Sequence, residues 1–399
     1  MRPAIVVIAY NRIKSMQRLL KSIEAADYPF AADINLIISI DRAKDNSNED
    51  VFKAAGEFVW SHGEKEVIYR EENYGLKRHV LTCGDLSEKY GSIILLEDDL
   101  YVSPAFYRFA LEALTFVSEN DKIGGVSLYN HRLNVHVREP FEAIDDCSDN
   151  WYFQFASSWG QAFTAAQWSG FKAWFKDNDG RGLSATNMPK NVSGWSDKSW
   201  LKYYIKYLIE TDRYFLYPTV SYTTNFAEEG THAKEAVNDL QVPLAGLCPS
   251  AKSFSFRTLS DARNVYDAFF ENVSLKEKVA KLVVNEVHRD DFDAALEAAE
   301  KVLIDLYGYK EIDSTAEYLL SSKSLPYRQI KSYARALRPI DANIFEEIGG
   351  EDFFLYDLRT PSTAPKISNT AKLFYNYRAI KTKEMIKLIS QIIKKRFDR

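Results

Sequence analysis

The chain has 399 residues, of which 46% are hydrophobic, 14% aromatic and 27% charged, with a formal net charge of -5. This composition supports a sizeable core in two or three domains and excludes a disordered or collagen-like chain. The charge, with no dense basic block among the first 250 residues, gives nucleic acid little electrostatic hold. No run of about 20 apolar residues is present to span a bilayer, and the opening residues lack a signal peptide's pattern, so a cytoplasmic protein is expected. Three cysteines (Cys83, Cys147, Cys248) lie far apart in no metal-ligand spacing, which fits a reduced compartment.

Short β-rich runs alternate with helical patterns over the first 130 residues. Strands are expected at Ile5 to Tyr10, Ile34 to Ile40, Glu66 to Arg70, Ile93 to Leu96 and Gly125 to Tyr129. Between the first two, Ile13, Met16, Leu19, Leu20 and Ile23 recur at helical spacing, and a further helical stretch runs from near Leu76 to Tyr90. This is the grammar of βαβ units and a parallel sheet. Ligands of such sheets bind outside the carboxyl ends of the strands, which singles out Asn11 and Arg12, Asp41 and Arg42, Glu71 to Arg78, Glu97 to Asp99, and Asn130 with His131.

From Asp145 to His232 the chain becomes aromatic and rich in glycine and serine, with helices expected near Thr164 to Lys176 and Ser196 to Glu210. Beyond about Pro249 it turns to charged amphipathic patterns, clearest over Asp290 to Tyr307, with Gly308 placed to stop a helix. Residues 1–250 are therefore expected as an α/β domain and 251–399 as a mainly helical region. The last stretch, Ile380 to Arg399, carries one apolar face ringed by lysines, which suits either docking on its own protein or contact with an anionic membrane at the inner face of the plasma membrane.

The chemistry centres on Glu97, Asp98 and Asp99, three carboxylates at the end of an apolar strand. They repel one another unless something positive sits among them. A hard divalent cation, Mn²⁺ or Mg²⁺, answers that need, because it takes oxygen ligands and is completed by substrate phosphates. The competing structural explanation is a solvated acidic turn.

Six segments in order give a resemblance: Ala9-Tyr10-Asn11-Arg12; Ser39-Ile40-Asp41; Asn73 to His79; Leu96 to Pro104; Val126 to Asn130; and Gly194-Trp195-Ser196-Asp197. In these residues 4–232 resemble the GT-A fold of nucleotide-sugar glycosyltransferases, most closely the N-acetylglucosaminyltransferase I family in a bacterial-looking form. The resemblance implies a Rossmann-like mixed sheet flanked by helices, a UDP-sugar donor and a glycan or glycolipid acceptor, as in surface polysaccharide synthesis.

It assigns Ala9, Tyr10, Asn11 and Arg12 to the nucleotide sugar, with the Arg12 guanidinium suited to a diphosphate. Asp41 and His79 are given to uracil, Asp98 to ribose or a metal-bound water, Glu97 to the sugar hydroxyls and Asp99 to the metal. Structural alternatives stay open: Asp41 as a loop cap and His79 as a satisfied helix histidine. Asp197 stands where the family carries its catalytic base, with a helix N-cap as the rival explanation. Trp159 and Trp195 are candidates for stacking on a sugar ring, with core packing as the alternative. His232 is a second-rank metal ligand. An inverting transfer is expected. The alternatives are a retaining transfer, a sugar-1-phosphate nucleotidyltransferase, disfavoured because Tyr10 to Lys14 contains no glycine, and a non-catalytic carbohydrate-binding protein.

Overall fold

A computed structural model describes residues 1–29, 33–45, 47–181, 183, 188–226, 239–246, 253–285 and 297–365. In chain order the elements are β1 (Ala4–Ala9), α1 (Ile13–Glu24), β2 (Leu36–Ile40), α2 (Glu49–Glu57), β3 (Lys65–Tyr69), α3 (Gly75–Gly84), α4 (Leu86–Tyr90), β4 (Ser92–Glu97), β5 (Leu100–Val102), α5 (Phe106–Val117) and β6 (Ile123–Ser127). They continue with β7 (Leu133–Asn134), β8 (Glu139–Pro140), β9 (Asn150–Phe153), β10 (Gln161–Thr164), α6 (Ala165–Asn178), α7 (Lys190–Ser193), α8 (Leu201–Glu210), β11 (Tyr214–Pro218), β12 (Thr223–Asn225), β13 (Val265–Tyr266) and α9 (Leu275–Asn285). Last come β14 (Val302–Asp305), β15 (Tyr318–Ser321), β16 (Tyr327–Tyr333), the short α10 (Ala342–Phe345) and β17 (Phe353–Pro361). Chain contacts divide these into two units, one of residues 1–132 and 145–270, the other of 133–144 and 271–399.

The first unit is built on a nine-stranded mixed sheet in the order β13-β9-β11-β6-β10-β4-β1-β2-β3. β1 pairs in parallel with both β2 and β4, and β2 with β3. All six residues of β1 are buried, which is why the run reads as continuous apolar sequence and not as an alternation. β10 is inserted antiparallel between β4 and β6, making the sheet mixed. This is the α/β architecture expected from the sequence, and all five expected strands are present.

Helix α1 buries Met16, Leu19, Leu20 and Ile23, the apolar positions of its repeat. Helix α6 starts in a capping box in which Thr164 Oγ1 accepts from Gln167 N and Gln167 Oε1 accepts from Thr164 N. α5 begins at Phe106, and just before it Ser103 Oγ accepts from Ala105 N at 3.3 Å while donating to Ala245 O at 2.8 Å.

In the second unit, β14-β15-β17-β16 form a four-stranded sheet around Leu319, Phe354 and Tyr356. The helical pattern expected over 251–399 is thus joined by a sheet that periodicity did not reveal. The helix expected from Asp290 to Tyr307 lies partly outside the described residues; helix is present at 297–300, and the chain then turns at Lys301 into β14. Leu303 and Leu306, apolar positions at helical spacing within that expected helix, stand in or beside the strand. The expected terminal helix, 380–399, lies outside the described residues. Among the described residues no helix is long and apolar enough to cross a membrane.

Candidate functional site

The parallel register of β1 and β4 sets Ile8 opposite Glu97, so the two strands end together and their following turns meet. The result is a compact charge cluster. Tyr10 N donates to Asp98 Oδ2 at 3.3 Å, Arg12 Nη1 donates to Asp99 Oδ2 at 3.1 Å, and Arg12 Nη2 donates to Asp98 Oδ1. Arg12, the residue before α1, therefore bridges both aspartates. Burial raises the Asp98 carboxyl to about 6 against the pull of Arg12. Burial lifts Glu97 well above the usual carboxylate range, and repulsion from Asp99 and Asp98 adds to it.

Asp99 Oδ1 is buried with no hydrogen-bond partner. A buried carboxylate oxygen left unsatisfied is costly and asks for a cation or a donor. Among the described residues no three His, Cys, Asp or Glu side chains form a ready metal cage. Two carboxylates completed by phosphate oxygens are nevertheless a normal set for Mg²⁺ or Mn²⁺, and the orphaned Asp99 oxygen fits that role. His232 lies outside the described residues. The chain enters that stretch at Phe226, whose N donates to Asp99 O at 3.1 Å.

The second cluster lies at the end of β2. Asp41 is buried, and its carboxylate accepts from Tyr74 N at 2.7 Å and Gly75 N at 2.8 Å. Gly75 adopts φ 70°, a conformation glycine reaches without strain, which lets both amides face the same carboxylate. The Asp41 carboxylate thus ties the turn into α3 and not the Asp45–Asn48 loop, whose ties come from the side chain of Asn48.

His79 does not reach a nucleotide-facing surface. It is 2% exposed, its Nε2 lies 2.7 Å from Ser39 Oγ, and burial, with nearby Arg70, lowers its pKa to about 3. It is a neutral packing histidine, so the uracil contact expected of it gives way to the structural alternative. Its burial is invisible in a run such as Lys77-Arg78-His79.

Asn48, which nothing in the sequence singles out, is a central tie of the structure. Fully buried, its Nδ2 donates to Tyr10 O at 2.6 Å and Asp41 O at 2.8 Å, while its Oδ1 accepts from Ala43 N at 3.0 Å and Tyr69 OH at 3.0 Å. One side chain thereby locks the ends of β1, β2 and β3. Asn48→Ala strands these groups and is expected to cost about 1–3 kcal/mol, seen as a lower denaturant midpoint. An unchanged midpoint would remove Asn48 from the framework. Gln161 was missed as well: it stands opposite Leu95, hence on the face of β4 that also carries Glu97, and its Oε1 is buried without a partner.

Asp197 is far more open, with 92% of its side chain exposed. It does not cap α8, whose N-cap is Trp200 without a side-chain hydrogen bond. Its Oδ1 accepts from Lys202 Nζ at 2.7 Å, and the buried Lys202 also donates to Trp195 O at 2.9 Å. The Lys202 hydrogen bond holds the Asp197 carboxyl below its ordinary value, and Lys77 adds to the effect.

Both candidate platform tryptophans are half-buried. The Trp159 ring packs 4.7 Å from Tyr129, and its carbonyl accepts from Thr223 Oγ1 at 2.5 Å. Thr223 belongs to β12, which pairs with β5 immediately after the acidic turn. Trp168 and Trp200 are fully buried and serve as core.

No protein-family model and no curated protein matches the chain. Solved structures similar to it include S. aureus TarS 1–349 in complex with UDP-GlcNAc, 14% identical over 75% of this chain and 70% of that one, with a TM-score of 0.35. S. aureus TarS 1–349 alone is 14% identical over 56% of this chain and 60% of that one, at 0.34. The mannosyltransferase PcManGT from Pyrobaculum calidifontis, in complex with GDP-Man and Mn²⁺, is 14% identical over 47% and 49%, at 0.30. The chain thus spans less than two thirds of the length of the latter two. Likenesses of this size carry no argument about activity, which rests on the residues themselves.

Proposed function

We propose that this protein is a nucleotide-sugar glycosyltransferase of the GT-A type, passing a sugar from a UDP-sugar to a glycan or glycolipid acceptor with inversion and with Mn²⁺ or Mg²⁺. The observation that carries this reading is the buried, unpartnered Asp99 oxygen beside Asp98 and Arg12 at the end of β4. Asp99 would hold the cation, with His232 as a further candidate ligand and Asp98 beside it for ribose or a metal-bound water. A bound divalent ion would supply Lewis-acid neutralisation of the leaving diphosphate.

The remaining tasks fall to the chain itself. Arg12 can exchange its aspartates for diphosphate oxygens, a guanidinium matching either partner. Tyr10 and Asn11 flank the same strand end, and Asp41 keeps one acceptor position for a base N–H. Asp197 takes the proton of the acceptor hydroxyl as that oxygen attacks the anomeric carbon and the bond to the diphosphate breaks. Trp159 and Trp195 offer faces for a sugar ring. The resemblance to N-acetylglucosaminyltransferase I suggests UDP-N-acetylglucosamine as the first donor to try, and the basic segment 380–399 suits an anionic membrane surface.

One observation favours a second reading. The Arg12 bridge already neutralises much of the acidic pair, as a non-catalytic carbohydrate-binding protein would require. Calorimetry separates the two. UDP is expected to release heat with Mn²⁺ and none after EDTA, and donor hydrolysis should follow the same pattern. Metal-dependent UDP binding without any turnover on a panel of donors selects the second reading, and no UDP binding at all removes the first.

A further inference from the structure

A groove of about 510 Å³ opens between α2 and the carboxyl ends of β2 and β3, lined by Arg42, Glu49, Asp50, Phe52, Lys53 and Tyr69 and by none of the three acidic-turn carboxylates. Its volume falls within the range of small-molecule sites. Helix α2 turns Val51 and Ala55 into the core, yet Phe52 remains 40% exposed. The ring is nonetheless held in place, stacked on Tyr69 with centroids 5.0 Å apart and planes 14° from parallel. Tyr69 is itself fixed, since its hydroxyl donates to Asn48 Oδ1 and the Arg42 guanidinium lies 4.2 Å over its ring. Arg42 is anchored in turn by Nε donating to Arg70 O at 2.7 Å. An exposed aromatic face on so rigid a support loses little freedom when a ligand covers it.

The charge of the lining narrows the ligand. Arg42 and Lys53 balance Glu49 and Asp50, so the groove has no net attraction for a phosphate-rich or polyanionic molecule. It has instead an apolar face bordered by hydrogen-bond donors and acceptors. A pyranose ring matches that combination, with C–H groups against the aromatic face and hydroxyls toward the charged rim. The open shape suits a chain running past and not one enclosed.

We propose that this groove is a second site, which binds a neutral glycan segment on Phe52 and Tyr69, distinct from the Glu97 to Asp99 turn and adjoining Asp41 through Arg42. It rests on the sugar-transfer reading only for the choice of a glycan as ligand. The test uses the full chain, titrated by calorimetry and saturation-transfer NMR with neutral tri- and tetrasaccharides of glucose, galactose and N-acetylglucosamine. At least one should bind, Phe52→Ala should weaken it at least tenfold, and Phe52→Trp should retain it. Manganese-dependent UDP binding, measured on the same samples, should be the same in all three proteins and reports that the fold is intact. Absence of binding by every neutral oligosaccharide, or an affinity indifferent to Phe52→Ala, overturns the second site. Loss of UDP binding in the unaltered chain with Phe52-dependent glycan binding preserved would instead remove the donor assignment and leave the groove standing.

Discussion

Asp99→Asn should abolish donor turnover while leaving the protein folded. The substitution keeps the shape of the side chain and an oxygen that can still accept from Arg12, but removes the negative charge that a divalent cation requires. Losing a Lewis acid at a leaving diphosphate costs several kcal/mol of transition-state stabilisation, so a fall of about three decades or more in kcat/KM is expected. The heat of UDP binding with Mn²⁺ should disappear with it. Stability should not suffer, because Asp99 Oδ1 has no partner to lose and the repulsion among three adjacent carboxylates is relieved. A rise in thermal midpoint beside the loss of turnover would therefore be the signature of a site that trades stability for cation binding. Normal turnover in Asp99→Asn would dismiss this residue as a ligand and move the search to Glu97 and Asp98.

The part of this arrangement that sequence made legible is the part written locally. An apolar run ending in three acids can be recognised as a buried strand with its charges at the carboxyl end, and β4 is that strand. The alternation of strands and helices up to β6 was equally readable, since each element carries its own period. What escaped was long-range. The Arg12 bridge joins residues 86 and 87 positions apart, and a guanidinium suited to a diphosphate is equally suited to two aspartates. Asn48 looks like any turn asparagine until the ends of three strands converge on it. Strands β9 and β11, buried aromatic runs without alternation, have no period to detect, and β14 was concealed because Leu303 and Leu306 also fit a helical spacing. His79 shows the converse: a histidine beside two basic residues suggests a ligand site, but the tertiary fold closes over it.

Asp197→Asn should separate chemistry from binding. The side chain is almost wholly exposed, so the exchange should leave the thermal midpoint within error, and the amide oxygen can still accept from Lys202. UDP affinity should likewise be unchanged. Turnover should fall by about two to four decades, the usual contribution of a positioned general base. The pH profile supplies an independent check. A base acts in its ionised form, and the Lys202 hydrogen bond holds Asp197 below its ordinary value of 3.8, so its ionised form persists through mildly acid conditions. The kcat profile of the unaltered protein should accordingly show no descending acid limb from this residue between about pH 5 and 8. A limb centred near pH 6 would instead point to a group raised by burial, as Asp98 is, and would transfer the base from the open loop before α8 to the acidic turn. Lys202→Met sharpens the distinction. Removing the cation frees the Asp197 carboxyl to return toward its ordinary value, moving any limb it controls to higher pH, whereas a limb set by Asp98 should stay where it is.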